Sequence, residues 1–344
     1  MENIIEARFL KQNLLPTNKV YRIDERFRYY YTVDKEQVKI YPSVTSILQS
    51  VMPTSDYLIK WYADYGYYKA KQMMQELSLY GTFMHHCFAE LLINRSFDLE
   101  ILPNLIRTFA IDNHIDFEVD HWNYKIREDM LALLHFIQDY EVEPIAIEVP
   151  LVSHKHKIGG AIDLVAKMKI GNGVNGNILK ADVKYNDGVI VEDRRQPITA
   201  IIDWKSGRHG FYPINEAQGH WYKLLWEDNF PDIQIDKIYN WAPKDWIEAP
   251  AYHLKDQSES LEKHKLQYYY ILFMIDEENK KARKHKTIEG KIDLQNANND
   301  TLKVYIEDLA SKLKRLYVNT NNGTQNTNPN NVRKDDLLSH INQI

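Results

Sequence analysis

The hydrophobic period of this chain changes at Pro144, and that change limits the fold more than any other feature. Up to residue 140 apolar side chains recur at helical spacing, over 56–77, with Gly66 a possible kink, over 79–93, and in two segments across 98–140, the second from Trp122 to Tyr140. Tyr80, Met84, Cys87, Phe88, Leu91 and Leu92 make one apolar helix face. After Pro144 the period is two. Ile145, Ile147, Val149 and Leu151 alternate with Ala146, Glu148, Pro150 and Val152, which predicts a half-buried strand. More strands are expected at 161–168, 201–204, 237–241 and 251–255, with a helix over 214–226. Strands clustered between about 145 and 241, with helices before and after, predict an α/β fold. Its core is a central mixed sheet flanked by helices, preceded by an N-terminal helical region.

The flanks are less regular. Arg28–Val33 and Gln37–Tyr41 read as a hairpin turning at Asp34-Lys35-Glu36. A loop at 171–176 leads to a second hairpin, 178–185 with 189–192, turning at Asn186-Asp187-Gly188. Helices are expected at 261–281 and around Leu302 to Leu316, then a disordered Asn- and Thr-rich stretch at 318–331 and a short helix at 333–344. The expected segmentation is 1–140, helical and part of the same domain as the core; 141–282, the core with the inserted hairpin 171–199; 283–317, a helical extension; and 318–344, a disordered tail. The helices of the first segment are expected to arch over the site.

Composition excludes several classes. One cysteine, Cys87, leaves no disulfide framework, no cysteine-based zinc site and no four-cysteine iron–sulfur cluster. No phosphate-loop or dinucleotide-binding glycine pattern occurs. No apolar run reaches the length of a membrane span and no N-terminal signal is evident, so a cytoplasmic protein with no membrane partner is expected. The formal net charge of −5 gives no overall basic signature for nucleic acid, although a groove can be basic locally. Twenty-three tyrosines and seven tryptophans are a high aromatic load; most belong to the core, and some could stack on bases.

Chemistry-bearing residues stand at a few places. Asp203 and Lys205 lie two apart on a short strand, so they share a face, while Ile202 and Trp204 face the opposite layer. A carboxylate and an ammonium side by side can hold a divalent metal and orient a water, as phosphodiester hydrolysis requires. Asp182-Val183-Lys184 repeats the spacing in a polar hairpin and ranks below it. Asp163 sits inside a predicted strand, where aspartate is disfavoured unless paired or on a metal. Gly81 and His85 are one turn apart on a helix, with His86 a competitor that periodicity hardly separates. Gln218 and Tyr222 share a helix face. Ser43 is a plausible helix cap, with Thr45 in the first turn; such a start is either a cap alone or a phosphate contact.

In order, Gly81-x-x-x-His85, Asp163 after Gly159-Gly160, Ile202-Asp203-Trp204-Lys205-Ser206 and Gln218-x-x-x-Tyr222 resemble the RecB-type branch of the PD-(D/E)xK nuclease superfamily. With Pro42-Ser43-Val44-Thr45 they look most like its mitochondrial and phage exonucleases, over about residues 41–281. The resemblance implies a restriction-endonuclease-like core and a Mg²⁺- or Mn²⁺-dependent deoxyribonuclease acting on single-stranded DNA or DNA ends, in replication, recombination or repair. It implies Asp163, Asp203, His85 and the Trp204 carbonyl as metal ligands, Lys205 at the attacking water, and Gln218 and Tyr222 supporting the site and contacting the strand, with Ser43 and Thr45 as further DNA contacts. Glu148, one strand earlier, could hold a second metal or a metal-bound water. A duplex-end-resecting exonuclease of the lambda type, a nicking endonuclease and a catalytically silent DNA-binding protein are the alternatives. The hairpin 171–199 and the C-terminal region depart from the family pattern. Cleavage polarity and oligomeric state are not readable from the residues.

Overall fold

A computed structural model describes residues 4–8, 14–15, 19–24, 28–34, 37–51, 54–113, 119–187, 189–208 and 210–258. The helices expected at 261–281 and 302–316, the extension 283–317 and the tail 318–344 lie outside the described residues. In chain order the elements are β1 (Ile4–Glu6), β2 (Val20–Asp24), β3 (Arg28–Asp34), β4 (Gln37–Pro42), α1 (Val44–Val51), α2 (Asp56–Tyr65), α3 (Tyr67–Asn94) and β5 (Ser96–Asp98). Then come α4 (Leu102–Asp112), α5 (Val119–Tyr140), β6 (Glu143–Ser153), β7 (Ile158–Ile170), β8 (Val183–Asn186) and β9 (Val189–Asp193). The last are β10 (Gln196–Trp204), α6 (Pro213–Asn229), β11 (Lys237–Lys244) and β12 (Ala251–Asp256).

The described residues form two compact units. The smaller holds residues 19–51 and 152–160. Its antiparallel sheet runs β2-β3-β4, and the predicted hairpin is its β3–β4 pair. Tyr21 and Tyr31 are cross-strand partners and stack at 4.9 Å. Tyr41 shares a 2.6 Å hydrogen bond with His154 Nδ1.

The larger unit is α/β. Its mixed five-stranded sheet has the order β12-β11-β10-β7-β6. β10 and β11 are parallel and joined through α6, while β10–β7 and β11–β12 are antiparallel. A parallel neighbour requires a crossover, and α6 supplies it. Pro144 and Pro150 fall in β6, an edge strand, where a missing N–H costs least. One sheet face presents Leu164, Ala166, Ile202, Trp204 and Trp241 to a core shared with α3 and α5. Phe88 of α3 meets Trp204 and Trp241 edge-on at 5.4 and 5.5 Å. The helix α6 packs against β10 and β11. Among the described residues no helix is long and apolar enough to cross a membrane.

Several boundaries differ from those expected, β10 for one beginning at Gln196 rather than 201, and two have a local cause. The helix breaks at Gly66, where a kink was expected, but not at the expected boundary at residue 78: α3 runs unbroken from Tyr67 to Asn94. Gly66 has φ +75°, a left-handed conformation that glycine adopts without strain, whereas Ser78 offers no break. The second hairpin begins at Val183 rather than 178, because Asp182 accepts hydrogen bonds from Leu179 N–H and Asn172 N–H and folds 171–182 into a turn.

Gly219 lets α6 come close to the sheet: a Cβ there would lie 2.5 Å from Ile238 Cγ2, a stiff branch near the backbone. Elsewhere in a helix Gly→Ala gains about 1 kcal/mol. Here Gly219→Ala is expected to lose about 1–3 kcal/mol through overpacking. Urea midpoints of the two proteins decide it, and a more stable variant would contradict the close approach.

Candidate metal centre

The sheet register builds the site. Pairing of β10 with β7 runs from Gln196↔Ile170 to Ile202↔Leu164, so one further step sets Asp203 abreast of Asp163. On the other side Asp203 is the partner of Asn240 on β11. Asp163, Asp203 and Asn240 thus form a row across three strands. Asp203 is 0% exposed and Asp163 7%.

Lys205 stands where the two-residue spacing predicts. Its Nζ lies 2.6 Å from Asp203 Oδ2 and 3.4 Å from Gln218 Oε1. Gln218 Nε2 donates to Asp203 Oδ1 at 3.3 Å and to the Tyr222 hydroxyl at 2.7 Å, so the two residues act from one helix face as their spacing implies. The loop after Lys205 is clamped by Arg208, which donates to Asp129 Oδ1 at 2.5 Å; the other oxygen of Asp129 accepts from Tyr80 OH.

The helix α3 brings the imidazole. Phe88 anchors it on Trp204, and one turn earlier His85 crosses the same indole edge-on at 5.5 Å. The Nδ1 of His85 lies 2.9 Å from Glu148 Oε1 and 3.5 Å from Asp163 Oδ1, and its Nε2 lies 3.2 Å from the Trp204 carbonyl. His86 is exposed, which decides between the two histidines. A Cβ on Gly81 would come within 3.1 Å of Ser206 Oγ, the close approach its missing side chain permits.

Glu148 is a backbone irregularity in β6. Its φ is +45°, left-handed and rare for a residue with a side chain. Its carboxylate meets His85.

Ligand atoms of His85, Glu148 and Asp163 all lie within 4.8 Å of one another. Asp203, expected as a metal ligand, is not one of this group; its oxygens are engaged by Lys205, Gln218 and Asn240. The Trp204 carbonyl faces His85, while the Trp204 N–H donates to Asp163 Oδ2 at 2.7 Å. Ser43 and Thr45 belong to the smaller unit. Ser43 is buried and its hydroxyl bonds that of Thr45 at 2.6 Å, so it serves inside the fold and offers no exposed phosphate contact. In the second D-x-K, Asp182 caps its turn and Lys184 pairs with Glu192 at 2.6 Å, so the two do not form a site.

Asn240 and Gln257 escaped the sequence reading. Asn240 Nδ2 donates to Asp203 Oδ2 at 2.6 Å, and Gln257 Nε2 donates to Asn240 Oδ1 at 2.7 Å. The available signal was an asparagine inside an apolar strand, as disfavoured there as Asp163.

Electrostatics follow from crowding. Burial pushes the Asp163 carboxyl up; His85 opposes this, and Asp203 and Glu148 add to it, leaving it at about 7. Burial alone would push His85 down, but Asp163 and the Glu148 hydrogen bond outweigh it and raise it to about 9. Both ring nitrogens face acceptors, and only the imidazolium donates from both. One imidazole and crowded carboxylates are a donor set for a divalent cation: carboxylates suit Mg²⁺ and Mn²⁺, and a nitrogen ligand leans towards Mn²⁺.

No model of a known protein family matches this chain, and none of the curated proteins matches it.

In the cation-free protein Asp163 and His85 both hold a proton more tightly when folded than when unfolded. Their contributions are full below the ordinary values, 3.8 and 6.5, and are lost as pH rises through about 7 and about 9. Stability in EDTA is therefore expected to decline from pH 6 to 9, and to decline less in His85→Gln. Parallel urea-midpoint profiles for the two proteins would refute the protonated His85.

Proposed function

We propose that this chain is a metal-dependent deoxyribonuclease with a restriction-endonuclease-like core, of the RecB-type branch of the PD-(D/E)xK superfamily. The observation that carries this reading is the meeting of His85, Glu148 and Asp163, beside an Asp203–Lys205 pair, from elements far apart in sequence. His85, Glu148 and Asp163 would hold Mg²⁺ or Mn²⁺, with Asp203 next to them. The cation would acidify the attacking water and steady the leaving oxygen. Lys205, fixed by Asp203 and Gln218, is suited to orient that water and to offset charge growing on the phosphate. Tyr222 braces Gln218.

A single-stranded or end substrate is favoured by the surface of α2 and the start of α3. Tyr57, Tyr65, Tyr67 and Tyr68 are exposed there, Tyr68 to 87%. Lys69 and Lys71 lie 5.8 Å from the ring centres of Tyr65 and Tyr67. Tyr57 approaches Tyr212, which caps the helix bearing Gln218 and Tyr222, at 6.4 Å. Exposed rings among lysines suit unpaired bases and a phosphate backbone, whereas duplex DNA hides its base faces.

End-labelled linear and circular oligonucleotides, single- and double-stranded, with Mg²⁺ or Mn²⁺, test the proposal. The wild type is expected to shorten linear single strands, and Lys205→Ala to be slower by about 10²-fold or more. Equal rates for the two proteins sink the assignment. Binding without turnover in either metal favours the silent DNA-binding reading, and cutting of closed circles favours an endonuclease. For the aromatic surface, Tyr67→Ala/Tyr68→Ala is expected to raise KM for single strands by about fivefold or more, with kcat retained, as loss of base stacking worth about 1–3 kcal/mol implies. An unchanged KM removes the tyrosines from the substrate path.

A further inference from the structure

The surroundings of Asp203 divide its two oxygens. An ionised carboxylate offers about four acceptor positions. On Oδ2, Lys205 Nζ and Asn240 Nδ2 both sit at 2.6 Å. On Oδ1, Gln218 Nε2 sits at 3.3 Å. Three positions are used, and the fourth, on Oδ1, has no donor among the described residues. Asn240 can serve Oδ2 only while its amide points nitrogen-first. Gln257 enforces that orientation by donating to Asn240 Oδ1 at 2.7 Å. Asn240 is 0% exposed and Gln257 2%, so water does not readily replace either partner. The backbone fixes the far end of the chain of amides, because Gln257 N–H donates to the Ile238 carbonyl at 2.7 Å.

We propose that Gln257 and Asn240 are positioning residues that commit Asp203 Oδ2 to Lys205 and leave one acceptor position of Oδ1 for a divalent cation. The inference rests on the metal-centre reading above and adds its second layer of control. A glutamate at 257 cannot donate to Asn240 Oδ1. The Asn240 amide then turns over to donate to it, and its oxygen opposes Asp203 Oδ2. A methionine at 257 adds no acceptor but supplies no donor either, so the Asn240 amide loses the hydrogen bond that sets its orientation.

The test is Mn²⁺ titration of the full chain, following free Mn²⁺ by electron paramagnetic resonance, with thermal unfolding in EDTA to confirm folding. Gln257→Glu is expected to weaken Mn²⁺ binding about tenfold or more, as loss of an outer-shell partner does. Gln257→Met, which removes the donor without adding an acceptor, is expected to weaken it in the same direction, by up to about tenfold. Should Gln257→Glu fail to fold, Asn240→Leu, close in size and lacking the donor, is expected to show the tenfold loss. Wild-type affinity in the folded Gln257→Glu and Gln257→Met variants overturns the relay. Absence of Mn²⁺ binding in the wild type overturns the metal-centre reading itself, a distinguishable result.

Discussion

A carboxylate with no exposed surface in the middle strand of a sheet must find every partner inside the protein. Asp203 is that group. An unpaired buried charge costs several kcal/mol, enough to unfold a marginal domain. Its partners come from three directions: Lys205 from its own strand, Gln218 from α6 and Asn240 from the parallel neighbour β11. Meeting that demand fixes the register of β10 against β11 and the rotation of α6 about its axis. The site is therefore tied to the core of the fold, whereas a site on loops alone could drift.

The opposite face of the same strand supplies the other half. Trp204 packs into the core against Phe88 and lends its backbone N–H to Asp163 and its carbonyl to His85. One residue thus couples apolar packing to polar placement. Aromatic contacts of this kind are worth about 0.5–1.5 kcal/mol beyond their buried area. Their larger effect is geometric, since they set the depth of α3 and with it the position of the imidazole. The Arg208–Asp129–Tyr80 clamp holds the loop beyond Lys205 to α5 and α3, so the lysine is braced from its C-terminal side as well.

Much of this was legible in the residues. The change of period at Pro144 separated helices from strands, and two-residue and four-residue spacings gave the shared faces of Asp203 with Lys205 and of Gln218 with Tyr222. Long-range partners were not legible. Nothing in the order of residues says that Asn240 lies abreast of Asp203, because a parallel pair is closed by a helix and its register is set in three dimensions. At Glu148 the backbone is left-handed, an irregularity that alternation does not anticipate. The choice between His85 and His86 depended on how α3 rolls onto the sheet, which Phe88 and Trp204 decide. The limit at Ser43 was similar: a hydroxyl at a helix start looks the same in sequence whether it is buried or exposed.

Glu148 shows what such a site costs the fold. A left-handed residue with a side chain carries about 1–3 kcal/mol of strain, and strain persists only where the surroundings over-determine it. Here they do. The residue lies in an edge strand between Pro144 and Pro150, where the ladder is least demanding, and its carboxylate is held by His85 at 2.9 Å. The same carboxylate adds to the repulsion that keeps Asp163 reluctant to ionise. A fold selected for stability alone would relax the backbone and remove one acid. Retaining both costs is coherent if the crowded acids are meant to share a cation, because a bound divalent charge lowers the repulsion without altering the backbone. The proton on His85 lies among the same carboxylates, which raise the histidine's hold on it.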